Sequence, residues 1–109
     1  MGLYENDTFV SQNTIVKIYI DYTKIKGRIT ITEISFLMYD VDRYDCLDFD
    51  YFDSDNLFAR TPAEAANMVK KWAKKYCPED LEQIERNFNT RFFEGFLQEC
   101  LLDIKEKEL

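Results

Sequence analysis

Apolar and polar side chains alternate through residues 14–23, where Val16, Ile18 and Ile20 are separated by Lys17 and other residues of the opposite phase. A period of two predicts a half-buried β-strand, because successive side chains of a strand point to opposite faces. The four residues that follow end in a glycine, which can adopt positive φ and close a hairpin. The sequence therefore predicts a strand and the turn to its neighbour.

A second strand is predicted over residues 28–39, and its apolar positions change phase partway along. Ile31 ends the first apolar phase, and Ile34 begins the second. One extra residue in a strand shifts every later side chain to the opposite face. A β-bulge near Thr32 and Glu33 explains the change of phase.

A third strand is predicted over residues 44–52, after a turn at residues 40–43. Its core-facing positions are Leu47, Phe49 and Tyr51. The alternation then places Asp48 and Asp50 together on the solvent-facing side.

The second half of the chain has the pattern of helices. Thr61, Pro62 and Glu64 form a capping-box signature, with threonine as N-cap and proline at the first helical position. Apolar residues follow at helical spacing: Ala65, Val69, Trp72, Ala73 and Tyr76. Pro78 ends this helix and can open the next. Asn89 and Thr90 can cap a separate final helix, and one continuous, bent helix is the alternative.

These elements predict a single α+β domain over residues 1–109, with strands at about 14–52 and helices at about 62–105. The predicted architecture is a three-stranded antiparallel meander followed by two or three α-helices packed on one face. The chain contains only three Gly and two Pro, which favours long regular elements joined by short turns.

Composition argues against an enzyme. The chain has no histidine, the usual general base near neutral pH and the commonest metal ligand. Its three glycines are isolated from one another, so no phosphate-binding glycine loop is present. Cys77, close to Lys74 and Lys75, is the best candidate for a reactive thiol, although an inert thiol is the expected state. No catalytic residue and no cofactor are expected.

No metal site is expected either. Cys46, Cys77 and Cys100 are far apart in sequence, unlike the closely paired ligands of zinc sites. The aspartates of residues 40–55 lack the central glycine and final glutamate of an EF-hand loop. The amino-terminal residues do not resemble a signal peptide. A cytoplasmic protein without a membrane-spanning segment is therefore expected.

Negative charge is concentrated in residues 40–55, which we call the acidic segment. It carries seven acids and one base, so it accounts for −6 of the formal net charge of −7. Direct binding to nucleic acid or to an anionic membrane is disfavoured, and a basic protein partner is favoured. Aromatic residues are interleaved with the acids, as in many interfaces. The candidate partner-binding residues are Asp40, Asp42, Tyr44, Asp45, Asp48, Asp50, Tyr51, Asp53 and Asp55.

In size, composition and acidic strand surface, the chain resembles phage-encoded nucleic-acid mimics such as anti-CRISPR and antirestriction inhibitors. This resemblance is one of general character and transfers no residue roles. It implies an inhibitor that acts in the cytoplasm of a bacterial host cell and occupies the basic nucleic-acid-binding surface of a nuclease or related enzyme.

Two other functions fit the same pattern. An immunity or antitoxin protein blocks a basic toxin with similar acidic and aromatic chemistry. Alternatively, the segment is a solubilising face of an accessory structural domain, and the lysines of the first helix form a solvated face.

Overall fold

The computed structural model describes residues 2–12, 14–40 and 58–108, and at Asp40 it describes the backbone alone. The strands are β1 (Gly2–Phe9), β2 (Thr14–Ile25), β3 (Arg28–Asp40) and β4 (Phe58–Ala59). The α-helices are α1 (Pro62–Tyr76), α2 (Leu81–Asn87) and α3 (Thr90–Glu108), with a short 3-10 helix, Pro78–Asp80, before α2. The predicted α+β class is confirmed.

The four strands form one antiparallel sheet in the order β1-β2-β3-β4. β2 and β3 make the central hairpin, whose last strand pair is Ile25 with Arg28. Lys26 and Gly27 both have positive φ, 53° and 79°, as the tightest hairpin turns require. The predicted turn is confirmed, although β2 continues two residues further into it than expected.

The predicted bulge is confirmed at Thr32. Asp21 pairs with Glu33, whereas the next residue of β2, Tyr22, pairs with Ile31. Thr32 is thus the extra residue of β3, and its hydroxyl donates a hydrogen bond to the carbonyl of Asp21 at 3.0 Å. The bulge keeps apolar side chains on one face through both halves of the strand.

All three helices pack on one face of the sheet. The sheet contributes the predicted alternation, in which Val16, Ile18 and Ile20 of β2 are fully buried opposite Phe36 and Met38 of β3. The helices contribute Ala65, Val69, Ala73, Ile84, Phe93, Phe96, Cys100 and Ile104. The predicted two-layer packing and its core residues from β2, β3 and the helices are therefore confirmed.

The predicted set of three strands is wrong in two places. β1 was not predicted as a strand, yet it pairs with β2 along its whole length, from Gly2 with Tyr22 to Phe9 with Ile15. β4 was also missed, because two residues are too short to show a period. The third predicted strand, residues 44–52, lies outside the described residues.

The N-terminus of α1 follows the predicted capping box with one change. The hydroxyl of Thr61 accepts a hydrogen bond from the backbone N–H of Glu64 at 3.2 Å. The carboxylate of Glu64 reaches back one residue further than in the standard box and accepts from the N–H of Arg60 at 2.7 Å. Two backbone donors at the helix entrance are satisfied in this way.

Replacing Thr61 with alanine is expected to lower the free energy of unfolding by about 1 kcal/mol, because the amide of Glu64 loses its acceptor. Urea denaturation monitored by circular dichroism measures the change. Thr61→Ser retains a hydroxyl and is the matched control. Equal losses in the alanine and serine variants would contradict a capping role.

The end of the chain forms two separate helices, which settles the alternative of one bent helix. Phe88 ends α2, and the side-chain oxygen of Asn89 accepts from the N–H of Phe92 at 3.0 Å. Asn89 thus caps α3, as predicted. None of the described helices combines the length and apolar character needed to cross a membrane.

Candidate functional site

The predicted partner-binding residues lie almost entirely outside the described part of the chain. Asp40 ends β3, where it pairs with Thr14. The other eight, from Asp42 to Asp55, and their predicted placement on a strand lie outside the described residues. The structure therefore locates the two points where this region joins the fold.

The acidic segment joins the sheet at one end. β3 runs through Leu37 to Asp40, and the chain re-enters the sheet at Phe58, which pairs with Leu37. The two junctions are only three residues apart along β3, a distance of about 10 Å in an extended strand. We call this end of the sheet the junction end.

One face of the sheet is not covered by any of the described helices, and we call it the open face. Its positions follow from the strand pairing, since paired residues lie on the same face. From the described residues they are Leu3, Glu5, Asp7 and Phe9 of β1, Ile15, Lys17, Tyr19, Asp21, Thr23 and Ile25 of β2, Arg28, Thr30, Glu33, Ser35, Leu37 and Tyr39 of β3, and Phe58 of β4.

Most apolar residues of the open face lie at the junction end, and the exposed Leu3 and Ile25 lie toward the opposite end. Phe9, Ile15 and Tyr39 form one row across three strands, and Leu37 with Phe58 belongs to the next. Ile15, Leu37 and Tyr39 are buried, whereas Phe9 is 57% exposed and Phe58 is 43% exposed. Aromatic contact with a partner at this end would therefore come from the two phenylalanines.

Charged residues of the open face lie beside this apolar end. Lys17 is directly opposite Asp7 in the pairing, and its Nζ is 3.9 Å from a carboxylate oxygen of Glu5. At the other end, Glu33 forms an ion pair with Arg60. Exposed pairs of this kind contribute little to stability, because water screens them.

The lysines of α1 form an exposed helix face, in agreement with the prediction of a solvated surface. Lys70 is paired with Glu85 of α2 at 3.3 Å, and Lys75 lies over the ring of Tyr76 at 5.2 Å. A depression of about 210 Å³ lies beside the first of these pairs and is lined in part by Asn67 and Phe88. It is smaller than typical ligand cavities, which exceed about 300 Å³.

Cys77 does not have the environment of a reactive thiol. Burial raises its pKa above the ordinary 9.0, and Asp80 and Glu79 raise it further. This direction agrees with the expectation that Cys77, although near Lys74 and Lys75, is an inert thiol. The nearby carboxylates oppose the thiolate, which is the nucleophilic form. Cys100 is buried, and burial also raises its pKa.

A hydrogen-bonded cluster attaches β1 to α3. The hydroxyl of Tyr4 donates to Oδ2 of Asp103 at 2.7 Å, and the amide of Asn6 donates to the sulfur of Cys100 at 3.8 Å. Lys107 completes the cluster, because its Nζ lies 3.7 Å from Asp103 and 5.2 Å from the ring centroid of Tyr4. These contacts fix β1 against the helical layer. They thereby also hold the open-face residues of β1 in a defined position.

The sequence argument missed the residues that the open face adds to the candidate site, above all Phe9 and Phe58. Neither residue had a local signal, because Leu3, Glu5, Asp7 and Phe9 share one face of β1 without apolar alternation, and β4 is only two residues long. No protein-family model matches the chain, and searches of curated proteins and of solved structures found no match.

Proposed function

We propose that the protein is an acidic inhibitor that binds the basic nucleic-acid-binding surface of a nuclease or related enzyme and acts as a DNA mimic. The observation that carries this proposal is the concentration of −6 of the −7 net charge in the sixteen residues 40–55. The protein acts in the cytoplasm of a bacterial cell and requires no catalytic residue or cofactor for this role.

Electrostatic attraction supports the choice of a basic partner. The parts of the chain outside the acidic segment are close to neutral, with fourteen acids and thirteen bases. A localised negative surface accelerates association with a basic cleft and orients the encounter. The same negative charge repels nucleic acid. The proposed partner is therefore the enzyme itself and not the nucleic acid on which that enzyme acts.

The spacing of the acids supports mimicry of a phosphate backbone. If Asp48 and Asp50 lie on one face of a strand, their Cα atoms are about 6.6 Å apart. DNA carries one phosphate about every 3.4 Å of helix axis on each strand, so a row of carboxylates at this spacing has a charge density of the same order as a phosphate backbone. We place Asp48 and Asp50 at the centre of the contact, with the remaining segment acids around them.

The open face supports an interface next to the acidic segment. Phe9 and Phe58 lie exposed at the junction end, where the segment joins the sheet. Aromatic side chains beside complementary charge provide much of the energy of protein interfaces. The two phenylalanines would contact the rim of the same cleft.

The proposal is tested by capturing the target from a bacterial lysate and competing it with duplex DNA. A DNA mimic and DNA occupy the same surface, so DNA should displace the captured protein in a concentration-dependent manner. Asp48→Asn combined with Asp50→Asn should weaken binding at least about tenfold, mainly through a slower association rate. Surface plasmon resonance at several salt concentrations measures both rates.

Glu94→Gln combined with Glu106→Gln is the matched control, because it removes the same charge from exposed positions of α3. This control should retain nearly all of the affinity. Equal affinity of the two double variants would contradict the placement of the contact. A captured toxin that DNA does not displace would replace mimicry with the immunity function.

A further inference from the structure

β1 is an edge strand with an unpaired side. It pairs with β2 over eight residues and has no second neighbour among the described strands. Every second residue of an edge strand directs its N–H and C=O away from the sheet, toward any chain that can pair with it. β1 contains no proline, so all of its backbone donors are retained.

The outward edge is also held in place. Tyr4 and Asn6, on the helix-facing side of β1, are hydrogen bonded to Asp103 and Cys100 of α3. A strand that is already ordered loses little conformational entropy when another strand joins it. β1 is therefore a preformed template for strand addition.

The side chains beside this edge define the chemistry of an added strand. On the open face, β1 presents Leu3, Glu5, Asp7 and Phe9 in sequence, an apolar-acid-acid-apolar pattern. Leu3 and Phe9 are 58% and 57% exposed, and both acids are also exposed. Cross-strand neighbours of opposite charge are favourable, so the complementary strand has basic residues at the two central positions and apolar residues at the two outer ones.

A second copy of β1 does not fit this pattern. In a symmetric antiparallel pair, same-face residues oppose each other, so Glu5 faces Asp7 in one register and faces Glu5 of the other copy in the next. Like charges directly opposite each other destabilise a strand pair. The same acids that favour a basic strand disfavour self-association through this edge.

We propose that β1 is a docking edge for an extended segment of a basic protein, which adds a fifth strand to the sheet by antiparallel or parallel pairing. The side chains of the added segment alternate between the two faces of the sheet. On the open face the segment presents an apolar residue, two basic residues and a second apolar residue. The proposal shares the basic character of the partner and the residue Phe9 with the proposed function, whereas the strand pairing itself involves β1 alone.

The test uses the whole protein labelled with nitrogen-15 and the peptide Val-Thr-Arg-Thr-Arg-Thr-Val, capped at both ends. Its symmetric pattern presents the same side chains in either strand direction. Amide chemical-shift changes should be concentrated in β1, and the outward amides of β1 should exchange more slowly with solvent. Glu5→Lys combined with Asp7→Lys should weaken peptide binding about tenfold or more.

The controls separate strand pairing from simple charge attraction. Glu94→Lys combined with Glu106→Lys makes the same change in net charge on α3 and should retain peptide binding. Two further peptides carry N-methyl groups on alternate residues: one peptide is methylated at its odd-numbered residues and the other at its even-numbered residues. One set should abolish binding and the other should be tolerated, since only one side of an added strand donates to β1. Equal binding of both methylated peptides would overturn the proposal, as would self-association through β1 without peptide binding.

The outcome is independent of the acidic segment. The Asp48→Asn, Asp50→Asn variant should bind the peptide as the unchanged protein does. If the peptide causes no chemical-shift changes in β1 while the protein still binds its target in competition with DNA, only the docking edge is rejected. The reverse result would reject only the DNA-mimic function.

Discussion

Replacing Phe93 with alanine is expected to lower the free energy of unfolding by about 3 to 5 kcal/mol. Phe93 of α3 and Phe36 of β3 are both fully buried, and their rings meet edge to face with centroids 5.8 Å apart. The contact joins the helical layer to the centre of the sheet. Truncation removes a large apolar side chain and leaves a cavity between the helical layer and the sheet.

Chemical denaturation with guanidinium measures this loss, and Phe93→Leu provides a milder variant if the alanine protein does not fold. Phe9→Ala is the matched control, because it removes the same atoms from a side chain that is 57% exposed. The control should cost less than about 1 kcal/mol. A double-mutant cycle with Phe36→Leu should show coupling between the two rings. A loss at Phe93 no larger than that at Phe9 would contradict the described core.

Replacing Tyr4 with phenylalanine is expected to cost about 1 to 2 kcal/mol at neutral pH, because the charged Asp103 carboxylate loses its hydroxyl donor. The effect should decrease in alkaline solution. Burial raises the pKa of the Tyr4 phenol above its ordinary value of 10.0, and the hydrogen bond to Asp103 raises it further. The folded state therefore retains the proton at a pH where the unfolded state releases it.

The sign of the pH effect follows from that difference in proton binding. The contribution of Tyr4 to stability is present in full below pH 10.0, the ordinary pKa of the phenol, and is lost as the pH rises toward the higher folded value. Urea denaturation of both proteins between about pH 7 and pH 11 should show their stabilities converging. Tyr22→Phe is a comparison of the same kind: the Tyr22 hydroxyl donates to Glu108 at 2.9 Å from a less buried position, and this hydrogen bond raises the pKa of Tyr22, so its stability difference should also decrease in alkaline solution. A constant difference across this range would contradict the shifted phenol.

The central hairpin and the helices could be predicted because their sequence patterns coincide with one buried face. In β2, every second residue from Val16 to Ile20 enters the core, so the alternation is visible without any tertiary information. The slip in β3 predicted the bulge at Thr32 for the same reason. The capping residues of α1 and α3 act locally, and local hydrogen bonding can be read from short motifs.

β1 could not be recognised in this way, because its inward positions are polar or lack a side chain. Gly2, Tyr4, Asn6 and Thr8 face the helices, and two of them are held by hydrogen bonds to residues more than ninety positions away. Such contacts depend on the tertiary fold and leave no local period. The open face was missed with β1, since its row of exposed residues is defined only by strand pairing.

The charge of the candidate site could be predicted, but its surroundings could not. Counting acids along the sequence located the acidic segment in residues 40–55. Its neighbours depend on which strands meet at the junction end. Phe9 precedes the segment by more than thirty residues, and its place beside Ile15 and Tyr39 follows from β-pairing across three strands.

The attachment of β1 to α3 also has a consequence for the order in which the chain folds during synthesis. Tyr4 leaves the ribosome long before Asp103, its hydrogen-bond partner 99 residues later in the chain. The hairpin of β2 and β3 closes locally and can form early, whereas contacts of such long range form late in folding. Until α3 is complete, β1 lacks these hydrogen bonds and depends on its pairing with β2. β1 thus precedes the other described strands in the sequence and is among the last to be secured.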